Sequence, residues 1–150
     1  MAISIRTGSP EHTMDVGHKL CGVIKNKPLP YIVLLYGDLG SGKTTLIKGI
    51  ARCLGIDPKD IGSASFVILV QHNSTPPLYH IDLYRLDNEE DLEFIGIWDY
   101  LDDEAIIVIE WAEHIKITDK KTLKVIINDI DENTRDILIE GLSEEDWDIL

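Results

Sequence analysis

The feature that most constrains this chain is a glycine-rich loop placed between a strand-like run and a helix-like run. The apolar run 31–36 ends at Gly37, and residues 37–44 read Gly-Asp-Leu-Gly-Ser-Gly-Lys-Thr. Residues 46–54 then carry apolar side chains at helical spacing. The pattern G-x-x-x-x-G-K-[ST] in this context is typical of a phosphate-binding loop. The sequence therefore predicts an α/β fold whose ligand carries phosphate groups.

Each residue type in this loop has a physical role. Glycines let the backbone turn tightly, so that successive N–H groups point at phosphate oxygens, and the helix adds its positive dipole end. Lys43 is expected to contact the β- and γ-phosphates of a nucleoside triphosphate, and the Thr44 hydroxyl to bind Mg²⁺. The predicted nucleotide-binding residues of the loop are Gly37, Asp38, Leu39, Gly40, Ser41, Gly42, Lys43, Thr44 and Thr45.

The remainder of the chain mixes helical and strand patterns. The spacing predicts a short strand at 3–5 and a helix that begins at Ser9 and Pro10. Further strands are predicted at 66–70, 78–83, 105–109, 123–127 and 136–139, and a capped helix from residue 88. This pattern favours a single P-loop domain over residues 1–150, with a central mixed sheet flanked by helices. The acidic tail 143–150 reads as a frayed end rather than a docking segment.

The charge of the chain limits its direct partners. Its 150 residues carry a formal net charge of −13, which disfavours direct binding to a nucleic-acid backbone. A role in a nucleic-acid pathway would therefore pass through protein partners. Cys21 and Cys53 have no metal or redox spacing, and neither a signal peptide nor a membrane-spanning run is found in the sequence. These features favour a reducing, cytoplasmic location.

Two carboxylates follow apolar runs and are candidates for a metal site. Glu110 follows the run 106–109, and Asp82 follows the run 78–81. Because ligands bind at the carboxyl ends of strands in such sheets, both residues are expected near the phosphates. Either could hold Mg²⁺, directly or through water, while the other positions the attacking nucleophile. The alternative for each is a turn cap or a pair with Arg85.

The neighbours of these carboxylates allow two interpretations each. Arg85 either stabilises developing phosphate charge or forms a surface ion pair. For His80, a hydrogen-bonded structural imidazole is favoured over a group that orients a carboxylate. For Trp111, a place in the core is favoured over a stacking platform.

The motifs that are missing narrow the class of nucleotide enzyme. The guanine-binding motif N-K-x-D does not occur, and the four arginines are scattered rather than gathered in a lid. A modest ATPase coupled to a partner is therefore favoured. A kinase that phosphorylates a small metabolite and a nucleotide-gated binding module remain the alternatives.

Four segments, taken together, resemble one protein family. In chain order they are GDLGSGKTT at 37–45, SASF at 63–66, YHIDLYRL at 79–86 and IEWAE at 109–113. Their order and spacing are similar to those of the TsaE family, the bacterial ATPases of tRNA threonylcarbamoyladenosine biosynthesis. The resemblance covers nearly the whole chain.

The resemblance implies a single α/β domain that binds ATP and Mg²⁺ and associates with the proteins TsaB and TsaD. That pair builds threonylcarbamoyladenosine (t6A) at position 37 of tRNAs that read codons beginning with A. In the family the ATPase does not transfer the threonylcarbamoyl group itself; its ATP hydrolysis is needed for turnover of the partner complex. This agrees with the acidic charge of the chain.

The resemblance also implies roles for single residues. Lys43 would contact phosphates, Thr44 and Glu110 would hold Mg²⁺, and Asp82 would belong to the catalytic magnesium–water cluster. Ser65 stands where the family usually has Thr, in a loop that approaches the metal. Thr13 matches a position near the nucleotide base, and Arg135 would approach the nucleotide from the C-terminal strands.

Two departures from the family pattern fall in the segment expected to switch. The usual Ser-Pro-Thr-Phe is Ser-Ala-Ser-Phe at 63–66, which lacks a proline that restricts the preceding residue. A usual Glu-Tyr pair is Gln71-His72. Both changes bear on the stiffness of this segment and the hydrolysis rate rather than on ATP binding.

Overall fold

The computed structural model describes residues 2–38, 40–62, 68–86, 93 and 96–148. Seven strands form one sheet: β1 (Ala2–Thr7), β2 (Tyr31–Tyr36), β3 (Leu69–His72), β4 (Leu78–Asp82), β5 (Ile106–Glu110), β6 (Thr122–Asp129) and β7 (Arg135–Glu140). The helices are α1 (Pro10–Ile24), α2 (Lys43–Cys53) and the single turns α3 (Ile97–Tyr100) and α4 (Glu144–Trp147). Short 3-10 turns lie at Pro58–Asp60 and Ala112–His114.

The sheet is mixed, with a parallel centre and antiparallel edges. Its strand order is β1-β7-β6-β2-β5-β4-β3. Strands β6, β2, β5 and β4 run parallel, whereas β1, β7 and β3 pair antiparallel with their neighbours. The parallel strands therefore end together at one edge, the place where α/β sheets bind ligands. The predicted mixed sheet flanked by helices is confirmed.

Two apolar cores cover the two faces of this sheet. The long helices α1 and α2 pack on one face, over residues such as Val33 of β2 and Val108 of β5. The other face is covered by α3 and the segments around it, which pack on residues such as Ile32 and Ile107. Strand β5 is buried along its whole length, as its unbroken β-branched run predicts.

Helices α1 and α2 approach each other closely because glycines lie at their crossing. A Cβ added at Gly17 of α1 would lie 2.1 Å from the Leu46 carbonyl oxygen, and one added at Gly49 of α2 would lie 1.9 Å from the Met14 carbonyl oxygen. Ser9 caps α1 by accepting a hydrogen bond from the His12 N–H. This crossing fixes α2, and with it the loop at its start.

The structure corrects two expectations about local elements. Residues 66 and 67 of the predicted strand at 66–70 lie outside the described residues, and the strand observed there is β3, Leu69–His72, which ends two residues later than predicted. The tail is not frayed over 143–148, because Ser143 and Asp146 form a reciprocal capping box on α4. Asp146 also pairs with Lys27, with a nitrogen–oxygen distance of 2.9 Å. The predicted helix from residue 88 falls mostly outside the described residues.

Two further features of the sequence concern the cysteines and membrane-spanning segments. Cys21 and Cys53 are both free thiols, the first buried and the second half-buried. In the described part of the chain, no helix combines the length and apolar character needed to cross a membrane.

Candidate nucleotide-binding site

A cavity of about 460 Å³ opens where the parallel strands β2, β4 and β5 end. It is bordered by the glycine-rich loop, by the turn after β4, and by Glu110 at the end of β5 with Trp111 after it. The residues that line it are Gly40, Ser41, Gly42, Lys43, Thr44, Thr45, Asp82, Tyr84, Arg85, Glu110, Trp111 and Arg135. The fold thus gathers most of the predicted site residues at one place.

The loop backbone has the shape that the glycine pattern predicts. Gly42 adopts a left-handed conformation (φ 106°, ψ 13°) at the start of α2, which is open to glycine at little cost. A Cβ added at Gly37 would lie 2.6 Å from Ser41 Oγ. Ser41 is 1% exposed, and its Oγ has no hydrogen-bond partner among the described residues. A buried hydroxyl without a partner beside a helix N-terminus fits a phosphate ligand.

Lys43 lies in the cavity, and no carboxylate in the described part of the chain is bonded to its ammonium group. Its Nζ donates a hydrogen bond to the Gly37 carbonyl oxygen at 2.5 Å and lies 3.7 Å from the centroid of the Trp111 ring. The residue is 5% exposed. Burial lowers the pKa of Lys43, and the nearby charge of Glu110 opposes that effect. Such a poorly solvated cation is suited to an anionic ligand.

Asp82 and Glu110 stand on the same rung of the parallel β4–β5 pair. Glu110 is 4% exposed, and Asp82 is half-buried. Burial raises the pKa of Asp82, the N–H of Tyr84 lowers it, and the charge of Glu110 raises it again. The Asp82 Oδ1 accepts the Tyr84 hydrogen bond at 2.9 Å. Asp82 therefore caps a turn and lines the cavity as well, so the two sequence interpretations are not exclusive.

His80 is bonded to a carboxylate. Its Nε2 lies 2.6 Å from Glu110 Oε2, and both side chains are buried. Both sequence interpretations of His80 therefore apply: the imidazole is buried and hydrogen-bonded, and its partner is the carboxylate of the candidate metal-binding residue Glu110.

Trp111 lies at the edge of the core and also borders the cavity. It is half-buried and packs against one apolar core, as expected. Its ring also lines the cavity beside Lys43, with its centroid 5.0 Å from that of Tyr84. Its backbone is left-handed (φ 57°, ψ 46°), an uncommon state for a bulky residue. Sequence reasoning did not single out the other aromatic ring of the cavity, Tyr84, whose only signal is its place next to Arg85.

The other predicted residues lie around this centre. Arg135 borders the cavity, and its Nη2 donates to the Gly40 carbonyl oxygen at 3.4 Å. Thr13 lines a smaller adjoining groove with Thr45 and Arg135, and its hydroxyl shares a hydrogen bond with Thr7. Asp38 is exposed at the loop. Leu39 and Ser65 lie outside the described residues.

The side-chain oxygens that line the cavity fit a hard cation that binds together with a phosphate ligand. Thr44, Asp82 and Glu110 offer hydroxyl and carboxylate oxygens, the atoms that Mg²⁺ prefers. In the described ranges, no group of three or more His, Cys, Asp or Glu side chains could hold a metal alone. Mg²⁺ commonly takes one or two protein carboxylates and completes its shell with phosphate and water, which agrees with this set.

The fold and the loop together define a P-loop protein of the α/β class, with a site for a phosphorylated nucleotide. A crystal structure of Bacillus subtilis YdiB is similar over 99% of this chain and 91% of its own, with a TM-score of 0.73 and 28% sequence identity. The family model described as threonylcarbamoyl adenosine biosynthesis protein TsaE matches residues 7–137. The chain belongs to the TsaE family.

Individual relatives agree with this assignment. The tRNA threonylcarbamoyladenosine biosynthesis protein TsaE of Bacillus subtilis is 33% identical over 134 residues, which cover 88% of this chain and 81% of that protein. The protein of the same name from Aquifex aeolicus is 32% identical over 133 residues, 87% of this chain and 90% of its own. That of Haemophilus influenzae is 42% identical over 83 residues, 55% of this chain and 52% of its own.

Proposed function

We propose that this protein is an ATPase of tRNA threonylcarbamoyladenosine biosynthesis. The observation that carries the proposal is the cavity in which the loop lysine and two strand-end carboxylates meet. A triphosphate needs a cation and backbone N–H groups, and its hydrolysis needs carboxylates that hold a metal and a water molecule. The family supplies the pathway.

The loop residues would bind the phosphates. The N–H groups of residues 40–45 lie at the start of α2, where the helix dipole favours negative charge. The Lys43 ammonium would exchange the Gly37 carbonyl oxygen for phosphate oxygens. Arg135, which borders both the cavity and the adjoining groove with Thr13, would approach the rest of the nucleotide.

Thr44, Glu110 and Asp82 would hold Mg²⁺, and the ion would supply charge that stabilises the phosphates during hydrolysis. Of Asp82 and Glu110, one would contact Mg²⁺ directly. The other would act through a water molecule and would position the water that attacks. By its resemblance to the family, Ser65 would add a hydroxyl to the same reaction. The proposed location is the cytoplasm.

The proposed partners are TsaB and TsaD, with hydrolysis driving turnover of their complex rather than transfer of the threonylcarbamoyl group. A formal charge of −13 supports contact with the tRNA through these partners rather than directly.

Phosphate release measured with the protein alone and with added TsaB–TsaD tests this proposal. We expect slow release alone, strong stimulation by the pair, and no release in EDTA. Asp148→Ala, an exposed carboxylate in the described tail, is the control that should keep full stimulation. Nucleotide binding without release under either condition would contradict the ATPase proposal. Appearance of a phosphorylated small metabolite would instead identify a kinase.

A further inference from the structure

The Glu110 carboxylate is hydrogen-bonded to His80, which lies two residues before Asp82 on β4. In the parallel pair, Asp82 stands opposite Glu110 and His80 stands opposite Val108. Because alternate residues of a strand project to the same face, His80 and Asp82 share a face of β4. The Glu110 side chain meets His80, with Nε2 and Oε2 2.6 Å apart.

This hydrogen bond involves only one of the two carboxylate oxygens of Glu110, Oε2. Glu110 lines the cavity although it is only 4% exposed. A buried carboxylate is costly unless it is hydrogen-bonded. Within the described part of the chain, His80 is the partner that the structure gives to this carboxylate, and it bonds Oε2. Oε1 is therefore the oxygen left for a ligand.

His80 itself cannot reach that ligand. It is 1% exposed and is not among the residues that line the cavity. Any effect of His80 on a bound cation must pass through Glu110. Metal-binding carboxylates are commonly held in direction by such hydrogen-bond partners, which do not touch the metal themselves.

We infer that His80 is a positioning residue: its Nε2–H donates to Glu110 Oε2 and thereby fixes Oε1 toward the cation that accompanies the nucleotide. The inference rests on the proposed function for the identity of that cation. It predicts that His80 affects the metal-dependent part of nucleotide binding and leaves the metal-free part unchanged, because the loop and Lys43 lie on a different element.

Calorimetric titration of a non-hydrolysable ATP analogue, with MgCl₂ and with EDTA, tests the inference. We expect His80→Phe to lose about tenfold to a hundredfold of the affinity gained from Mg²⁺, with unchanged affinity in EDTA. His80→Gln should restore most of the gain, because its amide nitrogen reaches the place of Nε2. His18→Phe, at an exposed position of α1, is the control and should match the wild type.

Several outcomes overturn the inference. Folded His80→Phe with the full gain from Mg²⁺ would show that Glu110 needs no such partner. His80→Gln as impaired as a folded His80→Phe would show that the hydrogen bond is not the cause. If the wild type gains nothing from Mg²⁺ or ignores the nucleotide, the proposed function fails instead.

A readout on the nucleotide-free protein tests the same hydrogen bond independently. Nitrogen-15 spectra of the imidazole rings should show a proton on Nε2 of His80, with the signal assigned by its loss in His80→Gln. In Glu110→Ala this signal should shift, because the acceptor is gone. An Nε2 that carries no proton in the wild type would contradict the inference, whatever the nucleotide affinities are.

Discussion

At the scale of single residues, two charged groups of the cavity lie where their charge is disfavoured. Burial lowers the pKa of Lys43 and raises the pKa of Asp82. Both directions are those that desolvation produces. A phosphate and a divalent cation would supply the missing opposite charges. The site is therefore arranged for its ligand at some cost to the stability of the free protein.

This cost gives a prediction for the stability contribution of Asp82. Asp82→Asn, whose side-chain oxygen can still accept the Tyr84 N–H, should have a free energy of unfolding at pH 7 no lower than that of the wild type. The raised folded-state pKa means that ionised Asp82 opposes folding at neutral pH, an effect that disappears as the pH falls through that pKa. Chemical denaturation measures this difference.

Asp82 and Glu110, the two carboxylates of the cavity, give a prediction for catalysis. ATP hydrolysis should fall roughly a hundredfold or more in Asp82→Ala and in Glu110→Ala, because each removes a ligand from the metal or its water. Steady-state phosphate release measures it. Unchanged turnover in both variants would remove the metal assignment.

At the scale of elements, the position of the loop depends on the crossing of α1 and α2. The two helices touch backbone to backbone at Gly17 and Gly49, and the loop leads directly into α2. Since protein interiors are close-packed, an added methyl group at this crossing must displace a helix. The stability of the crossing and the geometry of the site are therefore linked.

Alanine at two glycines of α1 should change the free energy of unfolding in opposite directions. At Gly17 the new Cβ would lie 2.1 Å from the Leu46 carbonyl oxygen, whereas at Gly22 it would meet nothing within 4 Å. Gly17→Ala should lower the free energy of unfolding by about 1–3 kcal/mol or more. Gly22→Ala should raise it by about 0.5–1 kcal/mol, because alanine has the higher helix propensity. Equal effects in urea denaturation would contradict the close crossing.

At the scale of the whole molecule, contacts distant in sequence join the ends of the chain. Strand β1 pairs antiparallel with β7, so that Ala2 lies opposite Glu140. Lys27, after α1, donates two hydrogen bonds of 2.9 Å to the Asp146 carboxylate, 119 residues away. The C-terminal turn is thereby fixed against the start of the fold.

The pH dependence of stability should report this tail contact. The hydrogen bond from Lys27 lowers the pKa of Asp146, so its stabilisation is present above the unfolded-state pKa of about 4 and is lost as the pH falls through the lower folded-state pKa. Asp146→Asn should therefore lower the free energy of unfolding by up to about 1 kcal/mol at pH 7. The difference from wild type should shrink in acid. Asp148→Asn, an exposed neighbour, should show no such difference.

Local patterns predicted more of this molecule than did patterns that depend on tertiary contacts. The loop at 37–44 and the buried strand β5 follow from glycine spacing and an unbroken β-branched run, signals contained in a few adjacent residues. The bond of His80 to Glu110 depends on the register of β4 with β5, which no single segment encodes. The left-handed backbone at Trp111, which directs its ring toward Lys43, is likewise a tertiary effect.

The central claim is that the loop and Lys43 bind a nucleoside triphosphate. The most direct measurement is a calorimetric titration of the purified protein with ATP and Mg²⁺, beside Lys43→Ala and the control Lys48→Ala from the same helix. We expect saturable binding to the wild type and to Lys48→Ala, and its loss in Lys43→Ala, where the phosphates lose their cation. No binding to the wild type up to millimolar ATP, or full affinity in Lys43→Ala, would contradict the account.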